Sequence, residues 1–199
     1  MRDNNLKYGF NMNILDDARS FPSLWERTQT FMTAHPTLLH PAADLSWLLD
    51  NGTYNNCQFF SNFEIGSLAF FRSAAHNAYF AYLDQTGGFY YERFGDAPVH
   101  TLSVAMFVPK EQQWWFRDVG YRHDICEQCP RKGGCECVDT KVDEGFYRLV
   151  PRESRQRKPR DTCIRMWLGG EWLRKKEGWT AEVERAWGGD GYGGYSLAG

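Results

Sequence analysis

The 199-residue sequence has little charge of either sign to spare, with 23 Lys and Arg against 25 Asp and Glu and a formal net charge of −2. Proteins that bind nucleic acid through its phosphates carry a basic excess or stripe, so no nucleic-acid partner is indicated. No window approaches the roughly 18 consecutive apolar residues that a bilayer-crossing helix needs. Residues 1–30 also hold no basic segment followed by an apolar one, so no signal peptide is read there. An internal repeat is absent, and so is a histidine at finger spacing from the cysteines.

What is present points to one packed domain. Hydrophobic residues make up 42% and charged residues 24%, which excludes a disordered chain. Aromatics reach 16%, enough for large buried groups and for flat surfaces on which sugar rings stack. The 6 cysteines, crowded toward Cys126–Cys163, and the Asn51-Gly52-Thr53 glycosylation sequon point to an oxidising, secretory compartment, against the missing signal.

Periodicity and breakers divide the chain. A strand fits Tyr8 to Ile14, and a helix fits Ser23 to about His35, stopped by Pro36. A short helix over Ala42–Leu49 runs into a turn at Asp50–Gly52, and Cys57–Phe60 suits a buried strand. From Ser67 to Leu83 the residues Leu68, Phe71, Ala75, Tyr79, Tyr82 and Leu83 hold one helical face, with Gly87-Gly88 as the stop. Asp96 has the chemistry of an N-cap for a helix over Ala97–Phe107, in whose first turn Pro98 is tolerated, and Trp114–Phe116 suits a strand. Helices alternating with short strands favour an α/β or α+β class. The Gly- and Tyr-rich end from Gly188 has no period and reads as a disordered tail.

Several residues can carry chemistry. Glu64, preceded by Asn62, sits between a short strand and an amphipathic helix, either as a functional carboxylate or as a solvated cap. The segment Gly87–His100 gathers Tyr90, Tyr91, Glu92, Arg93, Asp96 and His100, a mixture that hydrogen-bonds sugar hydroxyls and stacks on sugar faces, or else forms surface pairs, a cap and a buried histidine. Glu64, Glu92 and Asp96 also suit an acid and nucleophile pair, which in retaining glycosidases stands about 5 Å apart. His123 is a possible metal ligand, although one histidine makes no site. Cys126-x2-Cys129 followed by Cys135-x-Cys137 reads either as a zinc knuckle or as a disulfide-stapled segment, and the sequon favours disulfides.

Taken together, YNNCQFFSNFEIG (54–66), GGFYYERFGDAPVH (87–100) and VGYRHD (119–124) resemble the fungal α-1,2-mannosyltransferases of glycosyltransferase family 15, as do DNNLKYGF (3–10) and PSLWERTQTF (22–31). The resemblance runs from Met1 to about Cys163. It implies the C-terminal portion of a GT-A-like (nucleotide-diphospho-sugar transferase) mixed α/β domain over 1–165, and a divergent tail over 166–199. The implied reaction is retaining transfer of mannose from a GDP-mannose donor to a mannose-terminated N- or O-linked glycan acceptor, with Mn2+, in the Golgi lumen. Family members reach the membrane through an N-terminal anchor, which is missing from this chain along with a stem, the first part of the nucleotide-binding half and a metal-binding Glu-Pro motif. Met1 aligns inside the family's domain.

By the same resemblance Glu64 is the catalytic nucleophile, Asp96 a second catalytic acid near the acceptor, and His123 the metal-coordinating histidine. Asn62, Tyr90, Tyr91, Glu92, Arg93 and His100 are the implied substrate contacts. Phe60 and Phe94 replace tryptophans of the family pattern and keep an aromatic surface. A carboxylate beneath the sugar captures or stabilises an oxocarbenium-like centre, and either a double displacement or a front-face route gives retention. The competing readings are an inactive remnant that binds mannosides or partner transferases, and a cysteine-rich zinc module.

Overall fold

The computed structural model describes residues 1, 3–116, 119–123, 126–128, 147–148 and 162–168. The chain divides into two compact units, Met1–Trp115 and Phe116–Gly199. In the first unit β1 (Tyr8–Phe10) and β2 (Asn13–Leu15) precede α1 (Leu24–Ala34), and β3 (Leu49–Asp50) and β4 (Thr53–Tyr54) form a hairpin before β5 (Cys57–Phe59). Next come β6 (Glu64–Gly66), α2 (Leu68–Phe71), α3 (Ala74–Gln85), α4 (Gly88–Tyr91), α5 (Asp96–Phe107) and β7 (Gln113–Trp115). The second unit holds β8 (Tyr121–His123), β9 (Cys126–Gln128), β10 (Tyr147–Arg148) and α6 (Thr162–Leu168).

Two small sheets organise the first unit. β1 lies at the centre of the order β6-β1-β7, antiparallel to β6 and parallel to β7, while β2 pairs antiparallel with β5. Against them lies α5, where every residue from Ala97 to Met106 is buried except His100. A helix apolar on all sides belongs in the middle of a core. Its Thr101 hydroxyl accepts the Phe59 backbone N–H at 2.8 Å, fixing the helix to β5. The Phe59 ring fills the space between Phe10, Tyr8 and Trp47, with centroids 4.3, 5.2 and 5.2 Å away. Burying each such side chain contributes about 1.5–3 kcal/mol.

Several elements depart from the sequence expectations. The strand expected over Tyr8–Ile14 is two strands, interrupted at Asn11-Met12, where the Trp115 indole donates to the Asn11 carbonyl at 2.7 Å. In place of a helix over Ala42–Leu49 there is a 3-10 turn at Ser46–Leu48. Its start is set by the Asp44 carboxylate, which accepts both the backbone N–H and the hydroxyl of Ser46. Such an Asx turn competes with helix.

The long helix expected over Ser67–Leu83 breaks into α2 and α3, because the Ser73 hydroxyl accepts the His76 N–H and starts a new helix. Gly95, not Asp96, is the N-cap of α5; Asp96 is the first helical residue and its carboxylate turns to Ser61 instead. Asn51 and Gly52, at φ 49° and 81°, form the two-residue tip of the β3–β4 hairpin, the left-handed pair that a type I′ turn requires.

In the second unit, β9 pairs antiparallel with β8 and parallel with β10. The buried Gln128 side chain donates to the carbonyls of Phe116 and Val119 at 2.7 and 3.1 Å. Cys57 in the first unit is disulfide-bonded, as is Cys163 in the second. Cys129, Cys135 and Cys137 lie outside the described residues, as does the expected tail beyond α6.

Candidate active site

β6 carries the central group. The antiparallel register sets Tyr8 opposite Gly66 and Phe10 opposite Glu64. Since side chains alternate along a strand, Glu64 and Gly66 share the face that holds Tyr8 and Phe10. The Tyr8 hydroxyl donates to Glu64 Oε2 at 2.6 Å. Burial, and then the Glu64 charge, push the Tyr8 hydroxyl well above its usual range, so it stays a donor at any physiological pH.

The other carboxylate oxygen belongs to α5. His100 Nδ1 lies 2.8 Å from Glu64 Oε1, with side chains 25% and 18% exposed, so the pair is sheltered yet reachable. A carboxylate only accepts, which places the shared hydrogen on Nδ1. His100 is the one opening in the buried stretch of α5, and this contact is what the opening serves.

A second layer holds the imidazole. The Phe71 ring packs on His100 at 4.9 Å and edge-on to His76 at 5.1 Å. Gly66 makes room for it: a Cβ at that position would run into the Phe71 ring. His76 Nδ1 lies 2.8 Å from the Ser103 hydroxyl, one helical turn beyond His100. Burial, with the nearby His100 charge, lowers His76 to about 4. Near neutral pH it is therefore an uncharged support.

The other sequence candidates fall in different surroundings. Asp96, one turn before His100 on α5, accepts the Ser61 hydroxyl at 2.8 Å at the surface. Asn62 is exposed in the 3-10 turn Ser61–Phe63 that leads into β6. Tyr90 and Tyr91 project from α4 at 76% and 90% exposure, which suits aromatic platforms. Arg93 is exposed, and its backbone N–H donates to the Ser20 carbonyl at 2.7 Å. The Glu92 carboxylate instead accepts the Ser23 hydroxyl at 2.6 Å and the Ser23 N–H at 3.0 Å, at the start of α1.

His123 stands exposed on β8 of the second unit, its ring stacked near Tyr121. Among the described residues no three of His, Cys, Asp and Glu converge as a metal site. Sequence reasoning did not single out Tyr8, His76, Ser103 or Ser61. Apart from the helical spacing of His100 and Ser103, nothing local marks them.

A partly sheltered carboxylate, with each oxygen held by a separate donor, is a centre suited to stabilising positive charge on a sugar ring. The family profile described as glycolipid 2-alpha-mannosyltransferase matches residues 1–146, and the chain belongs to this glycosyltransferase family 15. Glycolipid 2-alpha-mannosyltransferase 2 of Candida albicans is 46% identical over 132 residues, covering 65% of this chain and 29% of that protein. The alpha-1,2 mannosyltransferase KTR1 of Saccharomyces cerevisiae is 46% identical over 144 residues, covering 71% and 35%. The crystal structure of core-mannan synthase A (CmsA/Ktr4) from Aspergillus fumigatus, in its Mn/GDP form, superposes with a TM-score of 0.67 at 40% identity, covering 74% of this chain and 42% of that one. The mixed α/β fold is thus GT-A-like. The chain spans about a third of the length of the curated relatives it matches.

Proposed function

We propose that the chain carries the catalytic carboxylate and acceptor side of a retaining α-1,2-mannosyltransferase that moves mannose from GDP-mannose to a mannose hydroxyl on an N- or O-linked glycan. The observation that carries this reading is the Glu64 carboxylate, held at both oxygens by Tyr8 and His100. Holding a carboxylate from two sides fixes its orientation before the sugar arrives, so little reorganisation is left for the transition state. Glu64 then captures the anomeric carbon or stabilises its positive charge as the donor bond breaks. Asp96, at the N-terminus of α5, is positioned to take the acceptor hydroxyl's proton.

Asn62, Tyr90, Tyr91 and Arg93 are proposed to meet sugar. Glu92 was also an implied sugar contact, but its carboxylate is already engaged with Ser23. Mn2+ enters the reading from the relative solved in its Mn/GDP form, and a divalent cation held here would neutralise the charge of a leaving diphosphate. His123 is the imidazole proposed to meet it. The described residues alone do not make up a complete metal site. The disulfide-bonded Cys57 and Cys163 suit a Golgi-lumenal placement, with membrane attachment through an N-terminal anchor as in the family. Residues 1–165 are read as the C-terminal part of the catalytic domain and 166–199 as a divergent tail.

The test is transfer by the purified chain from GDP-mannose to a mannose-terminated acceptor in Mn2+. Glu64→Gln is expected to abolish transfer. Removing one donor to the carboxylate, as in Tyr8→Phe, forfeits about 1.5–3 kcal/mol, or about ten- to hundredfold in kcat with little change in KM. Undiminished transfer by Glu64→Gln would overturn the assignment. A wild-type chain that binds mannosides without transferring would favour the inactive, glycan-binding reading.

A further inference from the structure

We infer that Asn51 is an N-glycosylation site and that the β3–β4 hairpin is the segment that presents its glycan. Asn51-Gly52-Thr53 is the chain's Asn-x-Ser/Thr triplet, with Asn51 and Gly52 forming the hairpin tip and Thr53 opening β4. Attachment takes place on the extended chain as it enters the secretory lumen, so the folded molecule has to tolerate the sugar afterwards. Three observations meet that requirement. Asn51, Gly52 and Thr53 are all exposed. A Cβ built on Gly52 meets no atom within 4 Å, so the space around the tip is open. The tip is nevertheless fixed in place, because the Trp25 indole donates to the Gly52 carbonyl at 3.2 Å while the Asn51 amide is left outside that contact.

The compartment is given by a separate observation. Cys57, a few residues beyond the hairpin, is disulfide-bonded, as is Cys163, and such bonds form in the oxidising lumen where lipid-linked oligosaccharide is available. In the reaction, the Asn51 side-chain nitrogen forms a C–N bond to the reducing-end anomeric carbon of an oligosaccharide carried on a lipid diphosphate. The anomeric C–O bond breaks, the lipid diphosphate leaves with the electron pair, and one amide proton passes to a base of the host oligosaccharyltransferase. The inference does not depend on whether the chain itself transfers mannose.

The experiment places the full chain behind a cleavable secretory leader in a fungal host and examines both the microsomal and secreted fractions. The wild-type and Thr53→Ser chains are expected to drop in mass on endoglycosidase H treatment, to about one N-acetylglucosamine above the bare chain, while Asn51→Gln and Thr53→Ala are unchanged by it. Thr53→Ala leaves the Asn51-Gly52 turn intact, so it separates loss of the sequon from loss of the hairpin. Peptide-N-glycosidase treatment in heavy-oxygen water, which hydrolyses a glycosylated Asn to a labelled Asp, should label residue 51. A disulfide-bonded wild-type chain in the lumen that runs with Asn51→Gln would overturn the inference, as would an endoglycosidase-sensitive Asn51→Gln chain.

Discussion

Replacing Glu92 with alanine separates two roles for a residue that sequence alone leaves open. Its carboxylate accepts the Ser23 hydroxyl at 2.6 Å and the Ser23 N–H at 3.0 Å, while the Ser23 side chain makes no capping bond to its own helix. Hydrogen bonds to a charged group contribute about 1.5–3 kcal/mol each, and a negative charge at a helix N-terminus adds about 0.3–1 kcal/mol. Part of this is recovered in the variant, because the released Ser23 hydroxyl can cap α1 itself, which is worth about 1 kcal/mol. Glu92→Ala should therefore destabilise the chain by at least about 2 kcal/mol, and Glu92→Gln, which keeps one acceptor, by about half as much. Urea unfolding followed by tryptophan fluorescence should show a lower midpoint with unchanged slope. A cycle with Ser23→Ala should return a coupling of at least about 0.5 kcal/mol. If Glu92→Ala stays within about 0.5 kcal/mol of the parent while mannoside affinity falls, Glu92 is a sugar ligand and the capping argument fails.

The remaining predictions concern the support of His100. The His76 imidazole is lowered to about 4 in the fold against 6.5 when free, so between these values the unfolded chain binds a proton that the native chain refuses. Stability contributed by neutral His76 is thus complete above pH 6.5 and is lost as pH falls toward about 4, by on the order of 2 kcal/mol after allowing for solvent screening. His76→Gln should flatten that part of the stability–pH curve, and a curve unchanged by the substitution would refute it. Gly66→Ala should cost about 1–2 kcal/mol by driving the Phe71 ring off the two histidines. Its NMR signature would be a shift of the His100 ring resonances, and a stable variant with unmoved resonances would show that the close approach is not limiting.

Much of the fold was legible where one element explains itself. The apolar spacing of α1, the Gly87 stop after α3, the turn at Asp50–Gly52 and the continuous apolar run of α5 are local signals, and each stands within a few residues of its expected place, although the turn closes a β3–β4 hairpin rather than ending a helix. The misses came where a side chain outbid the local pattern. Ser73 capped a new helix inside a continuous apolar face, and Asp44 made an Asx turn where short-range spacing suggested helix. The small helix α4, at the start of the Gly87–His100 segment read for its sugar-contacting mixture, carries Tyr90 and Tyr91 outward, so the tyrosines were legible as exposed chemistry but their helical support was not.

The site shows why residue chemistry can be legible when geometry is not. Glu64 was singled out as a carboxylate between a strand and a helix, and His100 as a sugar contact or a buried helix histidine. Yet Tyr8 is 56 residues from Glu64, and His100 is 36 away. Only the antiparallel pairing of β6 with β1, and the seating of α5 on the neighbouring β5, bring the three together. Helical spacing puts Asp96, His100 and Ser103 on one side of α5 but does not say which strand that side meets. A glycine completes the arrangement: Gly66 lets Phe71 close on both histidines, and its meaning cannot be read without knowing which ring lies above it. Long-range pairing of short strands is the step that one sequence leaves least determined, because register follows from partners distant along the chain. In this chain that pairing decides whether Glu64 is a solvated surface acid or a carboxylate held ready at both oxygens.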